Sequence, residues 1–193
     1  MNDLKTMKDS LRSEAKRARA LLSLSTDGHS ALCRNFFDNI KMDEKTVLAA
    51  YWPKDRELDT QILIDECFER GIKVALPIIA QGERILKFAQ FDYNTDLMNG
   101  QYNVQHPVIN DNTAFLEPDI FVVPLLAFDR KGYRLGYGGG YYDVTLEHYK
   151  LQKDIVTIGL GYAQQACLFN LPVEHHDIKM DWIITEQNAQ CFV

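Results

Sequence analysis

Ten consecutive residues, Arg134-Leu135-Gly136-Tyr137-Gly138-Gly139-Gly140-Tyr141-Tyr142-Asp143, join a guanidinium, four glycines in five positions and a carboxylate. Glycine tolerates φ > 0 and lets a ligand approach the main chain, so amide N–H groups can converge on an anion. A guanidinium grips phosphate oxygens as a rigid fork, and a carboxylate oxygen is a suitable ligand for Mg²⁺. The stretch therefore carries most of the parts needed to hold a nucleotide triphosphate. It is not a Walker A loop, because Tyr141-Tyr142 stands where a Lys-Ser/Thr pair is required. Nor is it a dinucleotide fingerprint, whose third glycine would fall at position 141. By its glycines alone it also reads as a turn between a strand and a helix; Arg134 and Asp143 at its ends favour the anion site.

Other groups are placed to join it. Lys8, Arg12 and Lys16 recur at i, i+4 with no acid between them on that stripe. A solvated basic face accounts for such a stripe, and an anionic partner would give it another reason. Trp52 and Glu57 belong to a loop at the carboxyl end of an expected strand, where open α/β sheets build their sites. Trp52 can stack on a flat ligand and Glu57 can accept its hydrogen bonds; the ordinary alternatives are a core or rim aromatic and a solvated loop acid. His175-His176 invites a metal reading, but adjacent histidines on an extended segment diverge and no third zinc-type ligand is spaced nearby. Asp177 is a more useful group, since it could join Asp143 around Mg²⁺, which prefers oxygen ligands and bridges phosphates.

What must position these groups is a chain of 193 residues, 46% hydrophobic and 25% charged, sufficient for one globular domain spanning residues 1–193. A net charge of −6 disfavours nucleic acid as a partner. Cys33, Cys67, Cys167 and Cys191 form no Cys-x-x-Cys pair, and no signal peptide is evident, so reduced thiols and a cytoplasmic location are expected. Apolar runs fall short of the roughly 20 residues that span a bilayer, and no membrane partner is expected. The expected oligomeric state is a monomer.

Periodicity predicts a long amphipathic helix from a cap at Asn2 or Asp3 to Leu22, its apolar side being Leu4, Met7, Leu11, Ala15, Ala18 and Leu22. A second helix through Leu32, Phe36, Phe37 and Ile40 precedes a strand at 46–51. A third, capped by Asp59 or Thr60 and stopped by Gly71, precedes a strand at 73–77, giving β-α-β. The runs flanking Gln81-Gly82-Glu83-Arg84 suggest a hairpin, and 92–118 reads as surface connection. A buried strand at 120–124 leads into the glycine loop, which feeds a helix at 142–150, followed by strands at 154–161 and 182–185. The expected fold class is α/β: a single-domain, mostly parallel open sheet flanked by helices in three α/β/α layers, with an added hairpin.

The chain resembles the 5-formyltetrahydrofolate cyclo-ligases, also called 5,10-methenyltetrahydrofolate synthetases. The resemblance rests on Lys8-Asp9-Ser10-Leu11-Arg12, Glu57-Leu58-Asp59-Thr60, and Pro124 through Asp143 with Ala127-Phe128-Asp129, Gly132, Arg134-Leu135-Gly136 and Gly140-Tyr141-Tyr142-Asp143. Later matches are Gly159 through Gln165, Pro172, His176-Asp177, Asp181 and Thr185. It implies a cytoplasmic enzyme of folate one-carbon metabolism that uses ATP as co-substrate and Mg²⁺ to cyclise 5-formyltetrahydrofolate to 5,10-methenyltetrahydrofolate, releasing ADP and phosphate. Phosphorylation of the formyl oxygen would precede attack by N10. By the resemblance, Lys8, Arg12, Arg134, Leu135, Gly136, Tyr137, Gly138, Gly139, Gly140, Tyr141 and Tyr142 would contact ATP. Trp52, Glu57 and the stretch Tyr137, Gly138, Gly139, Gly140 and Tyr141 would face the folate, Asp143 and Asp177 would hold the metal, and Arg134 and Tyr141 would serve catalysis. The chain departs from the family at Leu125, often glycine, and at Val144, often basic. Two rivals share the anion loop: an isomerase of sugar phosphates or coenzyme A esters, which needs no ATP, and a module that binds folate or nucleotide without turnover.

Overall fold

The computed structural model describes residues 2–193, the side chain of Asn2 excepted. Four helices are formed, α1 (Asn2–Arg19), α2 (Thr26–Asn39), α3 (Gln61–Glu69) and α4 (Tyr141–Lys150). The strands are β1 (Val47–Ala49), β2 (Lys73–Ile78), β3 (Lys87–Phe91), β4 (Leu97–Asn99), β5 (Gln105–Pro107), β6 (Phe115–Leu116), β7 (Ile120–Pro124), β8 (Ala127–Phe128), β9 (Arg134–Leu135), β10 (Val156–Leu160), β11 (Trp182–Ile184) and β12 (Ala189–Cys191). Eight of them make one sheet in the order β12-β11-β10-β7-β1-β2-β3-β6. Its middle is parallel, from β11 through β10, β7 and β1 to β2, and β12, β3 and β6 add antiparallel edges.

Alternation along the central strands explains the layers. Ile120 and Val122 of β7 point into one core with Leu48, Val74 and Leu76, which α2 and α3 close with Leu32, Phe36, Leu63, Ile64 and Cys67. Phe121 and Val123 point into the other, which α4 closes with Leu146 and Tyr149. Both faces are buried, so β7 reads in sequence as an unbroken apolar run. On the α4 side Phe121 packs against Phe88 at 5.3 Å and Tyr149 at 5.1 Å between ring centroids. The α/β class, the parallel centre and the β2–β3 hairpin agree with the sequence reading.

Several expectations are corrected. Helix α1 stops at Arg19, not Leu22, and its apolar residues make only part of its covered side: Leu4, Leu11 and Ala15 are half-buried and Met7 and Ala18 exposed, while Lys8 and Arg19 are buried. Leu11 and Ala15 pack on the β8–β9 hairpin through Leu135 and Ala127, so α1 lies against that hairpin rather than covering the sheet. Thr60 stands at the N-cap of α3 but makes no side-chain cap; its hydroxyl donates to Tyr51 O at 2.6 Å, and Asp59 Oδ1 accepts the Gln61 amide. Segment 92–118 is not mere connection, since it forms the β4–β5 hairpin and edge strand β6. These strands, like β8, β9 and β12, are two or three residues long, too short for period-two alternation to register.

Candidate active site

The glycine loop is aimed by the hairpin before it. Asp129, fully buried, accepts the amides of Lys131 and Tyr133 at 2.9 and 3.0 Å through one oxygen and that of Leu171 at 3.0 Å through the other. Its carboxylate thus folds the β8–β9 turn and ties it to the 167–171 segment. Gln165 donates to the carbonyls of Leu125 and Leu126 at 2.9 Å each, fixing the chain where it leaves β7. Leu125 itself lies over Gly159 and Gly161; a Cβ on Gly161 would stand 2.7 Å from its Cδ1. Leu125 thus fills the space left under the loop by the two glycines.

At the Arg134 end, charges pair directly. Arg134 Nη2 meets Asp143 Oδ1 at 2.9 Å and Nη1 donates to Ile178 O at 3.1 Å, with the side chain 5% exposed. Asp143 Oδ1 also accepts the Ile178 amide at 3.1 Å, which brings it beside Asp177. Lys8 Nζ donates to Asp177 at 2.6 Å and Glu174 at 2.8 Å. Burial alone would lower the Lys8 ammonium, but its hydrogen bonds to Asp177 and Glu174 outweigh that and its pKa is raised. Glu174 is correspondingly held below the usual carboxylate range, chiefly by its hydrogen bond from Lys8. Glu174, His176 and Asp177 can bring one ligand atom each to within 4.8 Å of one another, which makes Glu174 an acid the sequence reading passed over. Residues 174–177 form a turn, with the Asp177 amide on Glu174 O at 3.0 Å, so the two histidine rings do not diverge but meet edge to face at 5.1 Å. The carboxylate oxygens of Glu174 and Asp177 in that group suit a hard cation such as Mg²⁺, and Asp143 lies outside the group.

At the Tyr137 end, the groups are buried and linked in series. Arg19 is 4% exposed and Glu57 9% exposed, with Nη1 and Oε1 3.9 Å apart. Between them lies the Tyr137 hydroxyl, accepting from Arg19 and donating to Glu57. Glu57 Oε2 accepts the Lys54 amide at 2.9 Å. Burial raises the Glu57 pKa, opposed by the bonds from Tyr137 and Lys54 and by the charges of Arg19 and Lys54. Burial and the nearby Glu57 push the Tyr137 phenol far up, so it stays protonated and can donate. Lys54, Arg19 and Lys16 sit over its ring at 4.8, 5.4 and 5.6 Å.

Between these ends the glycine backbone is crowded. Arg12 Nε donates to Gly136 O at 3.1 Å, and a Cβ on Gly138, whose φ is +98°, would stand 3.1 Å from Arg12 Cζ. Gly140, at φ +68°, precedes α4 without a capping side chain, and a Cβ there would stand 2.8 Å from Arg84 Nη2. An α-helix N-terminus whose first amides lack a side-chain cap is a natural anion site. Arg84 Nη2 also donates to Gly139 O at 3.4 Å. Tyr102, in the turn between β4 and β5, meets Tyr141 at 6.1 Å between centroids, and its carbonyl accepts Lys54 Nζ at 3.1 Å. The Tyr141 phenol is raised, first by its hydrogen bond with Tyr102 and then by burial.

The structure therefore gathers Lys8, Arg12, Glu57, Arg134, Tyr137, Asp143 and Asp177 around Gly136–Gly140. Three of the other candidate side chains pack into apolar surroundings. Trp52 packs edge to face on Phe91 at 5.5 Å against the α2–α3 core. The Leu135 side chain is buried with Leu11 and Ala15, its carbonyl accepting the Leu126 amide at 2.8 Å. Tyr142 packs into the α4-side core. The stripe Lys8, Arg12, Lys16 splits, because Lys8 is buried and Arg12 half-buried while Lys16 remains exposed. Arg19, Arg84 and Tyr102 were missed; only Arg19 carried a signal, as a cation at the end of the basic series.

A family model described as the 5-formyltetrahydrofolate cyclo-ligase family matches residues 4–186. A Haemophilus influenzae protein named 5-formyltetrahydrofolate cyclo-ligase is 31% identical over 175 residues, covering 88% of this chain and 92% of its own length. An Escherichia coli K12 protein of the same name is 35% identical over 147 residues, covering 72% of this chain and 76% of its own. The solved structure of Aquifex aeolicus 5,10-methenyltetrahydrofolate synthetase superposes with a TM-score of 0.72 at 25% identity, covering 96% of this chain and 93% of that one.

Proposed function

The chain belongs to the 5-formyltetrahydrofolate cyclo-ligase family, and from that premise we propose that its site uses MgATP to close the ring of 5-formyltetrahydrofolate, giving 5,10-methenyltetrahydrofolate, ADP and phosphate. The observation that carries the reading is a single glycine loop with cations and carboxylates suited to phosphate and metal at one end and a buried acceptor, Glu57, at the other.

The N5-formyl oxygen is a poor leaving group. Transfer of the ATP γ-phosphoryl group to it makes an iminium phosphate, N10 attacks the activated carbon, and phosphate departs with the former formyl oxygen. Protein catalysis of such a transfer is mainly positioning and charge stabilisation. Arg12 and the amides of Gly138–Asp143 line the phosphate path, and Lys8 can exchange its carboxylate partners for phosphate oxygens. Arg134 orients Asp143 through its guanidinium. Asp143 and Asp177 are the proposed Mg²⁺ ligands, and the ion would neutralise phosphate charge when bound. Glu57 accepts N–H donors of the pterin, while the protonated phenol of Tyr141 can donate to a developing oxyanion.

The decisive assay incubates pure protein with 5-formyltetrahydrofolate, with and without MgATP, and follows methenyl product and ADP together. Equal yields of both, only with MgATP, are expected. Product without ATP, or no product under any metal condition, defeats the proposal; binding without product would favour a non-catalytic module.

A further inference from the structure

Arg19 is the one residue among those described with a buried side-chain nitrogen, Nε, that has no hydrogen-bond partner. Taking a guanidinium out of water costs several kcal/mol unless it is paired and hydrogen-bonded, so a partly satisfied buried arginine calls for a reason. Among the described residues its only direct hydrogen-bonding partner is Tyr137, whose hydroxyl passes the contact on to Glu57. A guanidinium would normally meet a carboxylate through its fork, yet here Nη1 stands 3.9 Å from Oε1 with the phenol between them. That arrangement does little for stability compared with a direct bidentate pair. It does leave Glu57 with lone pairs free, since among the described residues its hydrogen-bond partners are the Tyr137 hydroxyl on Oε1 and the Lys54 amide on Oε2. A carboxylate offers about four acceptor positions.

We infer that Arg19 is a positioning residue for the folate end of the site: through the Tyr137 hydroxyl it holds the Glu57 carboxylate as an oriented anion for the paired N–H donors of a pterin ring. The inference rests on the functional reading of Glu57 above. It explains why a cation at the end of α1 turns inward, and why the glycine loop carries a tyrosine at position 137. Without the cation, burial would favour the protonated carboxyl, which loses an acceptor and gains a donor facing donors. The charged and titratable groups around Glu57 are Arg19 of α1, Lys54 of its own loop, Tyr137 of the glycine loop, Tyr51 after β1 and Tyr142 of α4. Of these, Arg19 is the buried permanent cation.

The test compares wild type with Arg19→Met, Arg19→Lys and Tyr137→Phe, measuring KM for 5-formyltetrahydrofolate, KM for ATP and the pH profile of kcat/KM for the folate. Arg19→Met should raise the folate KM about tenfold, the loss expected for hydrogen bonding to a charged group, with the ATP KM within about twofold. Its acid limb should move to higher pH, because kcat/KM reports the free enzyme's essential groups and Glu57 has lost a stabilising cation. Arg19→Lys, which keeps the charge, should return the limb towards wild type. Folate and ATP constants rising together, or an unmoved acid limb in Arg19→Met, overturns the inference. Should Arg19→Met fail to fold, Tyr137→Phe decides: a selective rise in folate KM supports the relay, and an unchanged folate KM defeats it. A wild type that makes no methenyl product defeats the functional reading as a whole, whereas an active wild type with an insensitive Arg19→Met defeats this inference alone.

Discussion

At the Arg134 end of the glycine loop Lys8, Arg134, Asp143 and Asp177 each have an opposite charge within 2.9 Å, whereas at the Tyr137 end Arg19 and Glu57 stand 3.9 Å apart with a phenol between them. Direct pairs offset the desolvation of their partners, so under the proposed function the first end would exchange those partners for phosphate and metal at a modest net cost. The second end leaves part of its desolvation uncompensated, seen in the raised Glu57 and the unpartnered Arg19 Nε. One loop thus borders two kinds of environment, direct ion pairs on one side and a buried series of hydrogen bonds on the other.

The contrast is open to breakage by substitution. Arg134→Ala should have the largest effect, lowering ATP-dependent kcat by about 10²–10³-fold, as for loss of a charge-stabilising contact in a closed site. Full activity with unchanged ATP dependence would show that Asp143 needs no orienting cation. Lys8→Met should raise the ATP KM by about tenfold and also cost stability, because it strands Asp177 and Glu174. Lys8 has a raised pKa in the folded protein, so its stabilising contribution is present at neutral pH and lost as pH climbs past its unfolded value through the folded one. The Tm gap between wild type and Lys8→Met should therefore close in strongly alkaline buffer; a gap that stays constant with pH would mean the pair is not what stabilises.

Between the two ends, Gly138→Ala forces a side chain into a positive φ against Arg12 and should cost about 1–3 kcal/mol in urea unfolding. Gly136→Ala, with open space and no positive φ, is the control and should cost less. Equal losses would mean that the loop relaxes freely and its crowding is not structural. Arg84→Ala should have the smallest effect, changing the ATP KM by less than about fivefold, since its contact is exposed and 3.4 Å long. A larger change would extend the phosphate site onto the β2–β3 loop.

Much of the Arg134 end was legible as sequence because its parts lie close together in the chain. Arg134, the glycines and Asp143 are neighbours, and their types state their chemistry without any fold. The parallel centre of the sheet was legible for a related reason: β7 and β2 are apolar on both faces and long enough to register as runs. What the chain did not reveal has the opposite cause. A basic helix face does not say which of its cations turn inward until the surface it meets is known, and nothing local to Trp52 signals the Phe91 ring packed against it. Tyr102 lay in a polar stretch whose strands were too short to signal, and it reaches the glycine loop only through the β4–β5 turn.

By itself the sequence determined the class of fold, the place of the glycine loop and the family resemblance, because periodicity and contiguous motifs are local properties of a chain. Only the tertiary structure decided which cations turn inward, which carboxylates share them, and that Arg19 reaches Glu57 through Tyr137. These contacts join residues 38 to 169 positions apart, and their strength depends on burial, which no local pattern of charges encodes.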